Sequence, residues 1–263
     1  MFEFNEQAIR VSIFLSVFIL FAVLETVFPK KHRTQPRLGR WLSNIGIIVI
    51  DSIVIRLIRQ VAVVSAALIA AQNGWGLLHW FVLPLWLELF FAIVLLDLAI
   101  YIQHIASHKI PLLWRMHRVH HADRDIDVTT GARFHPLEIM LSMLYKGLVI
   151  FIVGPSIWAV FLFEVILNAS SIFNHANLKL TAGLDKKLRL IIVTPDMHRV
   201  HHSIDSQETN SNFGFFLSIW DKLFKTYKEQ PEVGHLKMVV GIKEYQSKHP
   251  SHILWCLKLP FIK

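Results

Sequence analysis

Residues Leu83–His108 read LPLWLELFFAIVLLDLAIYIQHIASH. The stretch Leu83–His104 is almost continuously apolar. It is long enough to cross a bilayer, because about 20 residues at ~1.5 Å rise cover ~30 Å of hydrocarbon. Its far end carries His104 and His108, four residues apart and so on one helical face. A membrane span ending in paired imidazoles points to an all-α, polytopic membrane bundle with its chemistry at one membrane face.

The same pattern extends in both directions. Val11–Phe28 is another apolar run. The leader Met1–Gln7 has no positive charge and no small-residue cleavage site follows, so a retained helix is expected rather than a secretory leader. Pro29–Arg40 carries Lys30, Lys31, Arg33, Arg37 and Arg40 with no acid, the mark of a cytoplasmic loop. Asn44–Ala71 is apolar but interrupted by Asp51, Arg56 and Arg59. Charges at that depth must be paired or face the bundle interior; otherwise the span ends near Arg59. Asn73–Val82, with Trp75 and Trp80 and no Lys or Arg, suits an outer interface.

Leu137–Gly154 and Pro155–Phe173 meet at a Gly-Pro turn and predict a helical hairpin. Lys146 and Glu164 fall at similar depth around that turn. They are expected to pair inside the bundle; the alternative is a snorkelling Lys146 and a Glu164 facing a polar cavity. The expected fold is thus four to five spanning or re-entrant helices. His104–Pro136 and His175–Lys263 form a cytoplasmic helical cap carrying a His-rich di-metal site. The chain reads as one unit: membrane helices over 11–82, a catalytic region over 83–230 and a tail over 231–263.

Composition agrees. Of 263 residues, 54% are apolar and only 17% charged, against about 25% charged in a soluble domain. Lys plus Arg is 27 and Asp plus Glu 19, a formal charge of +8 that basic membrane loops explain without nucleic acid. The lone Cys256 excludes an internal disulfide and a Cys-rich metal site.

Histidine is abundant, with 15 in the chain. Nine fall in four groups: His104-x-x-x-His108, His117-x-x-His120-His121, the single His175, and His198-x-x-His201-His202. Helical spacing aims two or three imidazoles of each group the same way. A zinc site takes three or four ligands, so two metals at four or five each would use all nine. His135 reads as a structural or supporting residue, with a ligand role as the alternative. His32, His79, His235, His249 and His252 are isolated and are assigned to surface or interface. There is no His-Glu-x-x-His, no phosphate-binding loop and no G-x-G-x-x-G. Haem needs one or two axial histidines, not nine. A His-rich di-metal site above an apolar bundle points to O2-dependent lipid oxidation. The alternative is a non-catalytic membrane protein that binds or transports a divalent metal.

Six motifs carry a family resemblance: His104-x-x-x-His108, Leu113-Trp-Arg-x-His117-Arg-Val-His-His121, Arg133-Phe-His-Pro-Leu-Glu138, His198-Arg-Val-His-His202, Asn212-Phe-Gly214 and Trp220-Asp-x-Leu-Phe224. Together they resemble the fatty acid hydroxylase/sterol desaturase superfamily over roughly residues 75–230. The resemblance implies a non-haem di-iron centre with O2 as co-substrate. Electrons would come from a separate ferredoxin- or cytochrome b5-like donor, and the substrate would be a lipid drawn from the bilayer. Family activities include fatty acid, sphingoid-base and sterol hydroxylation, sterol desaturation and alkylglycerol ether cleavage.

By the same resemblance His104, His108, His117, His120, His121, His175, His198, His201 and His202 are the iron ligands. Two positions depart from the pattern. Lys179 stands where some members have a second histidine, leaving that ligand position to water, His135 or Asn177. Lys225 replaces a customary glycine. Asp97, Asp123, Asp127, Asp196 and Asp205 are candidates to accept the outer imidazole N–H. Ser251–Lys263 is expected either to lie along the membrane surface or to pack on the cap.

Overall fold

The computed structural model describes residues 2–59, 65–247 and 249–262. Five helices are long and apolar enough to cross a membrane, and the chain is a multi-pass membrane protein. These are α1 (Phe2–Val27), α2 (Arg37–Arg59), α4 (Leu85–Lys109), α6 (Pro136–Val153) and α7 (Ile157–His175). Between them lie the short α3 (Ser65–Asn73) and α5 (Pro111–His121); α8 (Ala182–Leu188) and α9 (Pro195–His201) follow. Among the described residues there is no sheet, only isolated bridges such as Pro29 with Leu178. The outward faces of the spans expose Leu15, Ile19 and Val23 on α1 and Val49, Ile53 and Leu57 on α2, as lipid contact requires.

The second span begins earlier than the sequence implies. Arg37 and Arg40 belong to α2 rather than to a loop. Arg40, Asn44, Ile47 and Asp51 form one buried face at helical spacing. Arg40 enters the helix because its charge is spent there: Nη1 donates to Asp123 at 2.7 Å and to the Asp125 carbonyl at 2.6 Å, and Nη2 pairs with Asp127. The helix is described as far as Arg59, whose side chain lies outside the described residues, as do residues 60–64 of the expected Asn44–Ala71 stretch.

The hairpin forms at the expected place. Gly154 adopts φ 65, a left-handed cap that closes α6. A Cβ on Gly76 would lie 2.3 Å from the Gly154 nitrogen, so the α3–α4 connection touches the turn backbone to backbone. Ser156 caps α7 by accepting from Ala159 N. Glu88 in turn accepts from Ser156 N at 2.8 Å and Oγ at 2.9 Å.

The expected Lys146–Glu164 pair is not made. Glu164 pairs instead with Arg10 of α1 at 2.7 Å, and the Arg10 guanidinium also lies 4.5 Å from the Phe161 ring centroid. Matching depth gave no information about azimuth, and α1 packs on the face of α7 that carries Glu164. A double-mutant cycle of Arg10→Met with Glu164→Gln is expected to show a coupling of about 1–2 kcal/mol. Lys146→Met with Glu164→Gln should be additive within about 0.5 kcal/mol. Thermal unfolding in detergent reads both.

At the opposite end, α5, α9 and the segments after α7 cap the bundle. The C-terminal stretch packs on this cap rather than lying free. Cys256 and Leu259 are buried against Ile47, Val119 and Ala122. Arg133 donates to the Pro250 carbonyl, and Arg118 to the carbonyls of Leu259 and Ile262. Lys263 lies outside the described residues.

Candidate metal centre

Each histidine is placed by an ordinary local device. On α4, Asp97, Tyr101, His104 and His108 fall on one face. Pro111 opens α5 at a position where a missing N–H costs nothing, and the helix then presents His117, His120 and His121. Thr194 and Pro195 open α9, with Thr194 Oγ1 accepting from Met197 N. His175 ends α7.

All nine predicted histidines converge, in two groups. His104, His108, His117, His121 and His201 form one; His120, His175, His198 and His202 form the other. Within each group the nearest side-chain nitrogens all lie within 4.8 Å of one another. The partition crosses the sequence motifs. The α5 motif gives its i, i+4 pair to the first group and His120 to the second. The α9 motif gives its i, i+4 pair to the second and His201 to the first.

Outer hydrogen bonds fix the tautomers of five of the nine. The Nδ1 of His104 faces the Phe213 carbonyl at 2.7 Å, that of His201 the Ser211 carbonyl at 2.8 Å, and that of His117 the Glu138 carboxylate at 2.6 Å. In the second group, His120 Nδ1 faces the Arg133 carbonyl at 3.2 Å and His175 Nδ1 the Ser171 carbonyl at 2.7 Å. A carbonyl only accepts, so the proton sits on Nδ1 and Nε2 is a bare lone pair. In the first group the Nε2 atoms of all five histidines are buried without a partner among the described residues. In the second, His175 Nε2 lies 3.1 Å from those of His120 and His198 and 3.2 Å from that of His202. Between His120 and His175 no proton remains to bridge the two nitrogens.

Burial, then mutual repulsion, pulls His120, His121, His198 and His202 well below the ordinary imidazole pKa. Burial brings His201 to about 3. These imidazoles are therefore neutral near pH 7. Converging neutral lone pairs are repulsive alone and become favourable around a cation. The two groups fit a pair of divalent transition metals, which imidazole suits.

The aspartates do other work. Asp97 accepts from Phe216 N, Leu217 N and Trp220 Nε1. Asp123 and Asp127 hold Arg40, Asp196 holds Lys30 and Arg199, and Asp205 caps a helical turn at Gln207 and Glu208. None accepts from an imidazole of the two groups. Backbone carbonyls do so instead, together with Glu138, a residue that the sequence shows only as part of a motif.

Two later motifs explain the carbonyls. Asn212, at φ 50, anchors its turn through Nδ2 to the Met197 and Lys228 carbonyls. Asp221 accepts from Phe213 N and Gly214 N, both at 2.8 Å, and so aims the Phe213 carbonyl at His104. A Cβ on Gly214 would meet Asp221 Oδ2 at 2.8 Å, which explains the glycine. Lys225 sits at φ 59, the left-handed region where glycine is comfortable and lysine strained. Lys225→Gly is expected to stabilise the fold by about 1 kcal/mol, read as a higher Tm.

The ligand position left open at Lys179 goes to neither protein candidate. Lys179 is exposed, and Leu178 before it is extended against Pro29, so the chain does not turn back to the metals. Asn177 is committed to both backbone groups of Lys31. His135 caps α6 at Leu137 N, with its Nε2 at the Leu257 carbonyl, and stays outside both groups. His235, expected at a surface or interface, is buried beside Asp196 at 3.8 Å, and burial brings it to about 4. His32, His79, His249 and His252 are exposed.

A cavity of about 460 Å³ reaches the first group at His104 and His117. It runs between α1, α2, α4, α6 and α7, lined by apolar residues such as Phe14, Ile55, Ile100 and Met143.

The fatty acid hydroxylase family model matches residues 89–226, more than half of the chain. The chain is 24% identical over 227 residues to an ornithine lipid hydroxylase, OlsE, of Rhizobium tropici, covering 83% of this chain and 67% of the relative. It is 27% identical over 248 residues to a human alkylglycerol monooxygenase, covering 94% of this chain but only 52% of that protein. No solved structure matches. The family match spans all nine converging histidines and the Asn-Phe-Gly and Trp-Asp segments that aim them, and the chain belongs to the fatty acid hydroxylase family.

Proposed function

We propose that this protein is an O2-dependent oxidoreductase that hydroxylates a membrane lipid, using two irons held by the nine histidines. The observation that carries this reading is the pair of convergent imidazole groups, with buried nitrogens aimed at one another, at the end of an apolar membrane cavity. Lipid hydroxylase and monooxygenase relatives support it and favour oxygen insertion over desaturation. The chemistry that bound iron supplies is activation of O2 against an unactivated C–H bond. Overall, one oxygen atom enters the lipid and the other leaves as water, with two electrons from a separate donor protein and two protons.

The chain's own residues orient and insulate. Glu138 accepts a hydrogen bond from His117 Nδ1, and the carbonyls of Phe213, Arg133, Ser171 and Ser211 hold four further rings. Phe134 stacks on His120 at 4.6 Å and helps keep water from the centre. The substrate tail enters from the bilayer and lies in the cavity. On this reading residues 83–230 are the catalytic region, and α1 and α2 complete the cavity wall. The basic Pro29–Arg40 stretch argues for a cytoplasmic cap. The net positive charge suits an acidic electron donor such as a ferredoxin.

The test uses iron-loaded protein in detergent with reduced ferredoxin, supplied with an alkylglycerol or an ornithine lipid. O2 uptake with a lipid product one oxygen heavier is the expected result. No uptake and no product from iron-loaded protein overturns the reading and favours a metal-binding or transport role.

A further inference from the structure

Along the buried face of α2 the charged and amide side chains have partners, with one exception. Arg40 is paired, and Asn44 donates to Asp123 Oδ2 at 3.0 Å and Thr129 Oγ1 at 2.8 Å while accepting from Arg133. Two turns further along, Asp51 is only 4% exposed, yet both of its carboxylate oxygens are buried without a partner among the described residues. A carboxyl at membrane depth without a donor costs several kcal/mol. Asp51 lines the same cavity that reaches His104 and His117. Seven residues of helix separate it from Asn44, about 10 Å at ~1.5 Å per residue. It therefore sits deeper than the metal end, beside whatever occupies the cavity.

The cavity has room for a ligand, since small-molecule sites run from about 300 to 1,000 Å³. Such sites are mostly apolar with a few placed polar groups that set orientation. Of the other polar groups on the cavity wall, Ser52 Oγ donates to the Ile48 carbonyl, Ser142 Oγ to Gln103, and Asn168 Nδ2 to the Glu164 carbonyl, whereas Glu138 Oε2 is buried without a partner among the described residues. Glu138 spends its other oxygen on His117, so among the described residues of the wall Asp51 is the carboxyl with both oxygens left over. We infer that Asp51 is a specificity-determining residue that takes a hydrogen bond from a hydroxyl group on the lipid, fixing how far the chain reaches toward the histidines. This rests on the reading of the cavity as the substrate chamber. It selects lipids with a hydroxyl placed along the molecule over fully alkylated analogues of equal length. A buried acceptor left empty discriminates strongly, because the analogue cannot repay its desolvation.

The experiment compares hexadecyl glyceryl ether with its dimethylated analogue, which keeps the oxygens and loses both donors. Binding to detergent-purified protein is measured by equilibrium titration, without turnover, for wild type, Asp51→Asn and Asp51→Leu. Wild type is expected to prefer the diol by about tenfold or more, equivalent to ~1.4 kcal/mol. Asp51→Asn, which keeps an acceptor, retains part of that preference, and Asp51→Leu loses it. Equal affinity of the two lipids for wild type, no binding of the diol, or an undiminished preference in Asp51→Leu overturns the inference. Iron content and O2 uptake are read separately. Discrimination at Asp51 without oxidation would sink the oxidase reading alone, and oxidation with an indifferent Asp51 would sink this one alone.

Discussion

His120→Ala and His201→Ala are each expected to abolish lipid oxidation, by well over the ~10–100-fold that loss of an outer partner typically costs, with the protein still inserted in the membrane. The two variants probe different groups. His120 comes from α5 and belongs to the group of four; His201 comes from α9 and belongs to the group of five. Each is wholly buried, so the truncation leaves a small cavity. It also relieves crowding among unshared lone pairs, which limits the loss of stability in metal-free protein. His249→Ala, at an exposed position, should be silent. Activity assays on membranes with matched expression check all three. Normal activity in either buried variant would contradict the assignment.

Arg40→Met is expected to cause the largest loss of stability, about 3–5 kcal/mol. Arg40 is 1% exposed and neutralises two equally buried carboxylates, Asp123 and Asp127. Removing the guanidinium leaves them buried and uncompensated. Burial alone would raise Asp123, but Arg40 and Arg133 pull it below the ordinary carboxylate range. A depressed folded pKa gives stability that is full above the unfolded value, about 3.9, and fades as pH falls through the folded one. Wild type should therefore hold to about pH 4 and weaken below it. In Arg40→Met the carboxylates become a liability at neutral pH, so its deficit should shrink on acidification. Thermal unfolding across pH reads the sign. The damage should also reach the metal end, because the same network holds Arg133, whose carbonyl orients His120.

The sequence makes some of this legible and hides the rest for physical reasons. The spans are visible because hydrocarbon demands continuous apolar runs. The hairpin is visible because Gly154 must adopt a positive φ. The start of α2 is misread because Arg37 and Arg40 look like loop charges until the acids that hold them are seen in space. Lys146 and Glu164 are matched in depth, but depth carries no azimuth, and Arg10 lies on the facing helix. The nine histidines stand out because i, i+3 and i+4 spacing is readable in one dimension. Their division into five and four depends on how α5 and α9 are set against each other, which no local motif encodes. The outer partners are missed because most are backbone carbonyls, which have no residue signature. The acids that were expected in that role are held by arginines and N–H groups.

Metal content per chain decides whether the two imidazole groups hold two irons. Protein purified in detergent from iron-replete cells, or reconstituted anaerobically with ferrous iron, should carry about two irons, matching two imidazole groups of four and five. His120→Ala and His201→Ala should each bind less. Wild-type protein that takes up no metal after reconstitution, or whose uptake is unchanged in both variants, would contradict the account.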